Sequence, residues 1–222
     1  MKFHWRSIAS LAILVSVLAN DGAADIVLNG GFENGTGNSA DDWANLADPN
    51  GSSGRSNADP RSGAFSAFID FDNTNSAAPG AYFVQQNLGA NTINPLLDHE
   101  LSFWAKVEQT VFDSHDVFAQ IQWLDQDNSN GGGFKGQELQ SLIALGVNTD
   151  YQRFTLTDLA VPDDADSFLL RFQLSAGAVQ SANNFNSLFI DDVTLTAIPE
   201  PGFAGLLGLA GLGCFAARRR RR

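Results

Sequence analysis

The sequence has almost no cysteine, and this absence limits how the chain can be held together. Its single cysteine, Cys214, lies in an apolar run close to the C-terminus. A framework of disulfide bonds is therefore excluded, and so is a zinc site built from thiolates. The rest of the chain must be stabilised by a hydrophobic core, alone or together with a metal ion bound through oxygen atoms.

Basic residues are also scarce. The chain has 13 lysines and arginines against 25 aspartates and glutamates. Seven of the basic residues but only two of the acidic ones lie outside residues 25–198, so this body has a net charge near −17. Nucleic acids and anionic membrane surfaces require a basic face, and we expect neither as a partner of the body. The acidic balance instead favours calcium and solubility outside the cell.

Recognisable catalytic motifs are missing as well. Nucleophilic catalysis needs an activated serine or cysteine with a histidine base. The two histidines of the body, His99 and His115, lie in no pattern such as GxSxG or HExxH. The carboxylates could supply the acid pair of a glycosidase, but nothing in the sequence singles out two of them. We expect no enzymatic activity, and a glycan hydrolase is the alternative left open.

The N-terminus has the three parts of a secretory signal peptide. Lys2 and Arg6 supply positive charge, residues 8–18 form an apolar segment, and residues 22–24 are small. This order predicts export, with residues 1–24 removed by a cut ahead of Asp25. A cut after Ala19 is the alternative.

The C-terminus has an equally distinctive order of parts. Pro199-Glu200-Pro201 ends the preceding fold, residues 202–217 are apolar and include five glycines, and residues 218–222 are all arginine. Sixteen helical residues rise only about 24 Å, against a hydrocarbon core of about 30 Å. A short, glycine-weakened span of this kind favours a transient membrane segment over a permanent tail anchor.

This tail resembles the PEP-CTERM sorting signal: the motif Pro199, Glu200 and Pro201, a hydrophobic helix and a basic end. The resemblance implies transient insertion in the inner membrane and recognition near the motif by an exosortase, after action of the export machinery. It further implies a Gram-negative bacterium that makes exopolysaccharide, with the product at the cell surface or in the extracellular matrix.

The body between the two signals, residues 25–198, reads as one all-β domain. Alternating apolar residues predict strands at 25–28, 64–71, 82–88, 101–107, 117–124, 151–157, 168–174 and 188–197. Residues 36–62 are loop-like, and residues 136–145 are the one stretch with a weak helical pattern. Short strands without a sustained 3.6-residue period predict an antiparallel β-sandwich.

The body has three distinctive segments: residues 29–33 (Asn-Gly-Gly-Phe-Glu), residues 82–86 with 101–106, and residues 188–195 (Leu-Phe-Ile-Asp-Asp-Val-Thr-Leu). Together they resemble the galactose-binding-like jelly roll of carbohydrate-binding modules (CBM4/9-type). The resemblance implies a jelly-roll β-sandwich that binds polysaccharide. A structural or adhesive protein with the same fold and no sugar affinity is the alternative.

The same resemblance implies a structural calcium ion where the first and last strands meet. Its ligands would be Glu33, Asp191, Asp192 and a carbonyl near Ser62 and Gly63, and calcium prefers such oxygen ligands. In the last strand, the apolar residues have even numbers before the two aspartates and odd numbers after them. This change of face predicts a β-bulge there. An unbroken alternation through Phe189 is the other interpretation.

A second acidic segment begins like a calcium loop but does not continue as one. Residues 125–131 start with the aspartate spacing of such a loop, yet Asn130 and Gly136 stand where glycine and glutamate are required. We interpret this segment as a polar hairpin loop.

Candidate sugar ligands are of two kinds. Aromatic rings can stack on sugar faces, although tryptophan in a β-sandwich more often belongs to the core; amide side chains in strands can bind hydroxyl groups. The aromatic candidates are Trp43, Tyr82, Trp104 and Trp123, and the amide candidates are Gln85, Gln120 and Gln122.

Overall fold

The computed structural model describes residues 24–45, 51–73, 80–110, 115–125, 133–176 and 184–198. Residues Asp25–Ala197 form one compact unit. The predicted signal peptide, the Pro199–Pro201 motif, the apolar segment and the loop at 126–131 lie outside the described residues. Within the described part of the chain, no helix is long and apolar enough to cross a membrane.

The fold consists of strands in two five-stranded sheets and one small hairpin. The first sheet has the order β10-β7-β12-β5-β4, the second has the order β3-β6-β11-β8-β9, and β1 pairs with β2. The strands are β1 (Gly35–Thr36), β2 (Ser39–Ala40), β3 (Ala44–Asn45), β4 (Gly51–Ser56), β5 (Ser66–Asn73), β6 (Gly80–Leu88), β7 (Asp98–Val107), β8 (His115–Leu124), β9 (Phe134–Ser141), β10 (Gln152–Leu156), β11 (Ser167–Ala176) and β12 (Asn184–Ile198).

The two sheets pack face to face through side chains that alternate along each strand. In β11, the even-numbered residues from Phe168 to Leu174 are fully buried in the core, and in β8 the odd-numbered residues from Val117 to Trp123 are buried with them. Successive side chains of a strand point to opposite faces, so this burial fixes which residues lie on the outer face. The predicted all-β sandwich is confirmed.

Three local predictions were wrong. Residues 136–145 are not helical, since they contribute to β9, an edge strand paired antiparallel with β8. An edge strand is exposed along much of its length, so its sequence shows little alternation. The segment 36–62, interpreted as a loop, contains the strands β2, β3 and β4 and the last residue of β1. Residues 25–28, predicted as a strand, form only an isolated bridge between Asp25 and Thr196.

A histidine lies in the core without polar partners. His99 of β7 is fully buried, its ring centroid is 6.4 Å from that of Trp123, and neither ring nitrogen has a hydrogen-bond partner among the described residues. Burial lowers the pKa of His99 below its ordinary value of 6.5, because the charged imidazolium loses hydration.

The pH dependence of stability tests this environment. Below pH 6.5, His99 is protonated more readily in the unfolded chain than in the folded chain. Protonation therefore favours the unfolded state, and the free energy of unfolding falls as the pH decreases. We expect His99→Leu to gain stability relative to the wild type between pH 7 and pH 5.5, measured as the difference in Tm. His115→Leu is the control, and a constant Tm difference for His99→Leu across this range would contradict the prediction.

Candidate functional site

The last strand changes the face that it buries at the two aspartates, as the bulge interpretation predicts. Leu188 and Ile190 are buried before the change, and Val193 and Leu195 are buried after it. Asp192 has a φ of 48°, in the left-handed region. Asp191 is fully buried, so the bulge directs a carboxylate inward.

Asp191 fastens the loop that precedes β5. The backbone N–H groups of Arg61 and Ser62 donate to Asp191 Oδ2 at 2.9 and 3.0 Å, and the N–H of Asp192 donates to Asp191 Oδ1 at 2.8 Å. Burial nevertheless raises the pKa of Asp191 to about 6. This carboxylate therefore ties residues 61–62 to the last strand.

Asp192 and Glu33 hold the same loop from two other sides. Asp192 forms an ion pair with Arg61 and accepts a hydrogen bond from Ser62 Oγ at 2.8 Å. Glu33 Oε1 accepts hydrogen bonds from the N–H groups of Ala64 at 2.9 Å and Phe65 at 3.2 Å. Three carboxylates thus surround residues 61–65, which we call the rim loop.

Gly63 permits the close approach of Glu33 to the rim loop. It has a φ of 59°, and a Cβ atom placed on it would lie 2.0 Å from Glu33 Oε1. Any larger residue would combine an unfavourable backbone conformation with a steric clash.

The residues predicted to bind calcium thus lie together around the rim loop. Their carboxylate oxygens already accept hydrogen bonds or form an ion pair. The donor set is suited to calcium in kind, since it consists of carboxylates. Each carboxylate accepts hydrogen bonds from N–H groups or pairs with Arg61. Across the described ranges, no group of three acidic, histidine or cysteine side chains is arranged to hold a metal ion. Calcium here stays a prediction.

The aromatic candidates do not share a surface. Trp123 is 1% exposed in the core, and Trp43 is buried with its Nε1 donating to the carbonyls of Leu28 and Asn29 at 3.1 Å. Neither can stack on a sugar, because both rings are needed by the core. Trp104 lies in β7 of the first sheet, with the Arg61 guanidinium 3.9 Å from its ring centroid. The side chain of Tyr82 lies outside the described residues.

The three glutamine candidates do share a surface, the outer face of the second sheet. Gln85 of β6 and Gln120 of β8 each lie directly opposite Arg171 of the central strand β11. Gln122 lies opposite Gln137 of β9. We call this surface the amide face, and it comprises Gln85, Gln120, Gln122, Gln137, Arg171 and Gln173.

Arg171 lies at the centre of the amide face. Its Nε and Nη2 atoms donate to Gln85 Oε1 at 2.9 and 2.7 Å, and its guanidinium carbon is 4.6 Å from the centroid of the Phe83 ring. Partial burial lowers the pKa of Arg171. Gln120 Nε2 donates to Gln137 Oε1 at 2.9 Å, which links β8 to the edge strand.

Three residues of the amide face were not among the predicted sugar ligands: Gln137, Arg171 and Gln173. The neighbouring Phe83 was not predicted either. The alternation of β11 places Arg171 and Gln173 on the outer face and was visible in the sequence. Their proximity to Gln85 and Gln120 was not visible, because it depends on β11 lying between β6 and β8.

The amide face combines two kinds of contact. Amides and the guanidinium offer hydrogen-bond donors, and amide oxygens offer acceptors. Phe83 and Phe118 lie on either side of Gln173 in register and are only partly buried. The surface can therefore bind a ligand with many hydroxyl groups and apolar faces.

The fold matches that of known carbohydrate-binding modules. One structure, on the promiscuous specificity of such modules from the β-sandwich superfamily, aligns with a TM-score of 0.51 at 10% identity, covering 79% of this chain. The chain spans 62% of that structure's length. A xylan-binding domain from Paenibacillus barcinonensis aligns with a TM-score of 0.47 at 14% identity, covering 79% of this chain and 96% of its own. The first likeness shows a shared jelly-roll β-sandwich.

The C-terminus gives a second, independent match. A family model described as the PEP-CTERM protein-sorting motif covers residues 197–222, as the tail predicts. This motif indicates an exported protein that an exosortase processes and directs to the cell surface. No curated protein sequence matches the chain.

Substitution of the rim-loop glycine tests how tightly Glu33 holds the loop. We expect Gly63→Ala to lower the Tm more than Gly37→Ala does. Gly37 has nearly the same φ of 58° but nothing within 4 Å of an added Cβ, so it measures the backbone cost alone, about 1 kcal/mol. Thermal unfolding of both variants provides the comparison, and equal decreases in Tm would contradict the close approach.

Proposed function

We propose that this exported protein binds carbohydrate through the amide face. The observation that carries the proposal is the row formed by Gln85, Arg171 and Gln120 across three adjacent strands. Neighbouring strands lie about 4.8 Å apart, so the face from β6 to β9 extends over ~14 Å. This width suits an oligosaccharide segment better than a single sugar.

The chemistry of the row supports a hydroxyl-rich ligand. Its donors and acceptors are fixed on strands, and the bonds of Gln85 to Arg171 and of Gln120 to Gln137 hold the side chains in place. Preorganised polar groups lose little conformational freedom when a ligand binds. The aromatic rings of Phe83 and Phe118 supply the apolar part of the surface.

We further propose that the protein acts without catalysis, as a surface or matrix component. The sorting motif supports delivery by an exosortase, after transient insertion of the tail in the inner membrane of a Gram-negative bacterium, and exopolysaccharide is the natural glycan there. A structural or adhesive role without sugar affinity is the second candidate, and the well-filled core of the sandwich is compatible with it. A hydrolase is the least supported of the three.

Substitution on the amide face tests the binding proposal. We expect Gln120→Ala combined with Gln122→Ala to weaken glycan binding about tenfold, because each lost hydrogen bond contributes about 0.5–1.5 kcal/mol. A glycan array followed by titration calorimetry measures the effect. Thr155→Ala, an exposed substitution in β10 of the first sheet, is the control. Absence of glycan binding in the wild type, or an equal loss in the control, would contradict the proposal.

We also propose calcium as a stabilising ligand of the rim loop, held by Glu33, Asp191 and Asp192. Calcium supplies a divalent charge that neutralises clustered carboxylates. The pairing of Arg61 with Asp192 means that the ion and Arg61 would compete for the same oxygens.

This competition gives the calcium proposal a sharp test. We expect calcium to raise the Tm of the wild type and to raise it further in Arg61→Gln, because the variant lacks the competing guanidinium. The Tm values are measured with excess calcium and with EDTA. Glu33→Gln, which removes one proposed ligand, is expected to reduce the shift. An unchanged Tm in the wild type and in Arg61→Gln would contradict calcium binding.

A further inference from the structure

We propose that the amide face selects acidic polysaccharide, and that Arg171 binds the carboxylate of a uronic acid residue. This inference rests on the proposed function and names the class of sugar that the same surface takes. It follows from the unusual position of Arg171 among the basic residues of the body.

Most basic side chains of the body have a partner that accounts for their charge. Arg61 pairs with Asp192, Lys106 with Asp59, and Lys135 with both Asp125 and Asp164. Buried Arg55 donates to three backbone carbonyls, and Arg153 is exposed to solvent. The remaining one is Arg171.

Arg171 is partly buried, and within the described ranges it has no carboxylate partner. Its hydrogen bonds go to one neutral oxygen, Gln85 Oε1. A guanidinium has five N–H groups, and two of those of Arg171 donate to Gln85. Three N–H groups remain for a ligand, at the end of the side chain that Gln85 does not occupy. Two parallel N–H groups match the two oxygens of a carboxylate, and such charged hydrogen bonds are the strong ones.

Acidic residues are nearly absent from the strands of this face, although they dominate the body. The described outward residues of β6, β8 and β11 include one carboxylate, Asp116. It lies opposite Ser175, four residues along β11 from Arg171, and accepts a hydrogen bond from Ser141 Oγ at 2.9 Å. Glu138 of β9 lies opposite buried Ile121 and therefore on the inner side.

The strongly negative body does not prevent an acidic ligand from binding here. At an ionic strength of 0.1 M, interactions between exposed charges are screened beyond about 10 Å. The local field at the amide face is then set by Arg171 and its neutral neighbours. Partial burial of Arg171, which lowers its pKa, adds to this preference, because an anion compensates the lost hydration of the guanidinium.

Carboxyl reduction of the ligand provides the test. Alginate, polygalacturonate and xanthan are each used in native form and after reduction of their uronic acids to neutral sugars. Binding to the full chain, kept in a polyoxyethylene detergent that carries no sugar, is measured by affinity electrophoresis. We expect at least one native polysaccharide to bind about tenfold more tightly than its reduced form, since a charged hydrogen bond contributes about 1.5–3 kcal/mol.

Three variants assign this preference to Arg171. Arg171→Met, which can still pack on Phe83, is expected to bind native and reduced forms equally, whereas Arg171→Lys is expected to keep part of the preference. Arg153→Met removes the same charge from the first sheet and is expected to behave as the wild type. Unchanged Tm values show that the variants are folded.

Each other outcome separates the two proposals. Equal or tighter binding of a reduced form by the wild type overturns the inference and leaves the proposed sugar binding intact. The same holds if Arg171→Met keeps the preference for the native form. If neither form of any polysaccharide binds and the glycan array is also blank, both proposals fail.

Discussion

The burial of one side of strand β11 is the interaction on which the rest of this structure depends. β11 is the central strand of its sheet, and Phe168, Leu170, Phe172 and Leu174 fill the space between the two sheets. A shift of register by one residue would move all four side chains to the outside. The same burial therefore fixes Arg171 and Gln173 on the outer face, so that core packing and the composition of the amide face have a single cause.

The basic residues of the body differ in whether an acidic partner neutralises them. Arg61 and Lys106 are paired with aspartates on the side of the first sheet, where they also contact Trp104 and the rings of Tyr151 and Phe189. Their charges are used to hold the rim loop and its surroundings. On the outer face of the second sheet, Arg171 is partly buried among neutral amides.

Much of the fold was predictable because buried strands carry their own signal. The alternation at 117–124 and 168–174 predicted both strands and their faces, and the change of parity at Asp191 and Asp192 predicted the bulge. Edge strand β9 was not predicted, because an exposed strand does not need alternating apolar and polar residues. Trp43 and Trp123 were candidates by residue type, but only the packing shows that they belong to the core. The importance of Arg171 depends on which strands flank it, and that is a property of topology rather than of local sequence.

The last strand of the fold leads directly into the sorting signal in the sequence. β12 ends at Ile198, and the match to the family model of the sorting motif begins at residue 197, so no linker residues separate the last strand from the tail in the sequence. β12 lies between β7 and β5 in the first sheet. The amide face is the outer surface of the other sheet, with the whole hydrophobic core between it and the strand that carries the tail. β12 and the amide face therefore lie on opposite sides of the hydrophobic core.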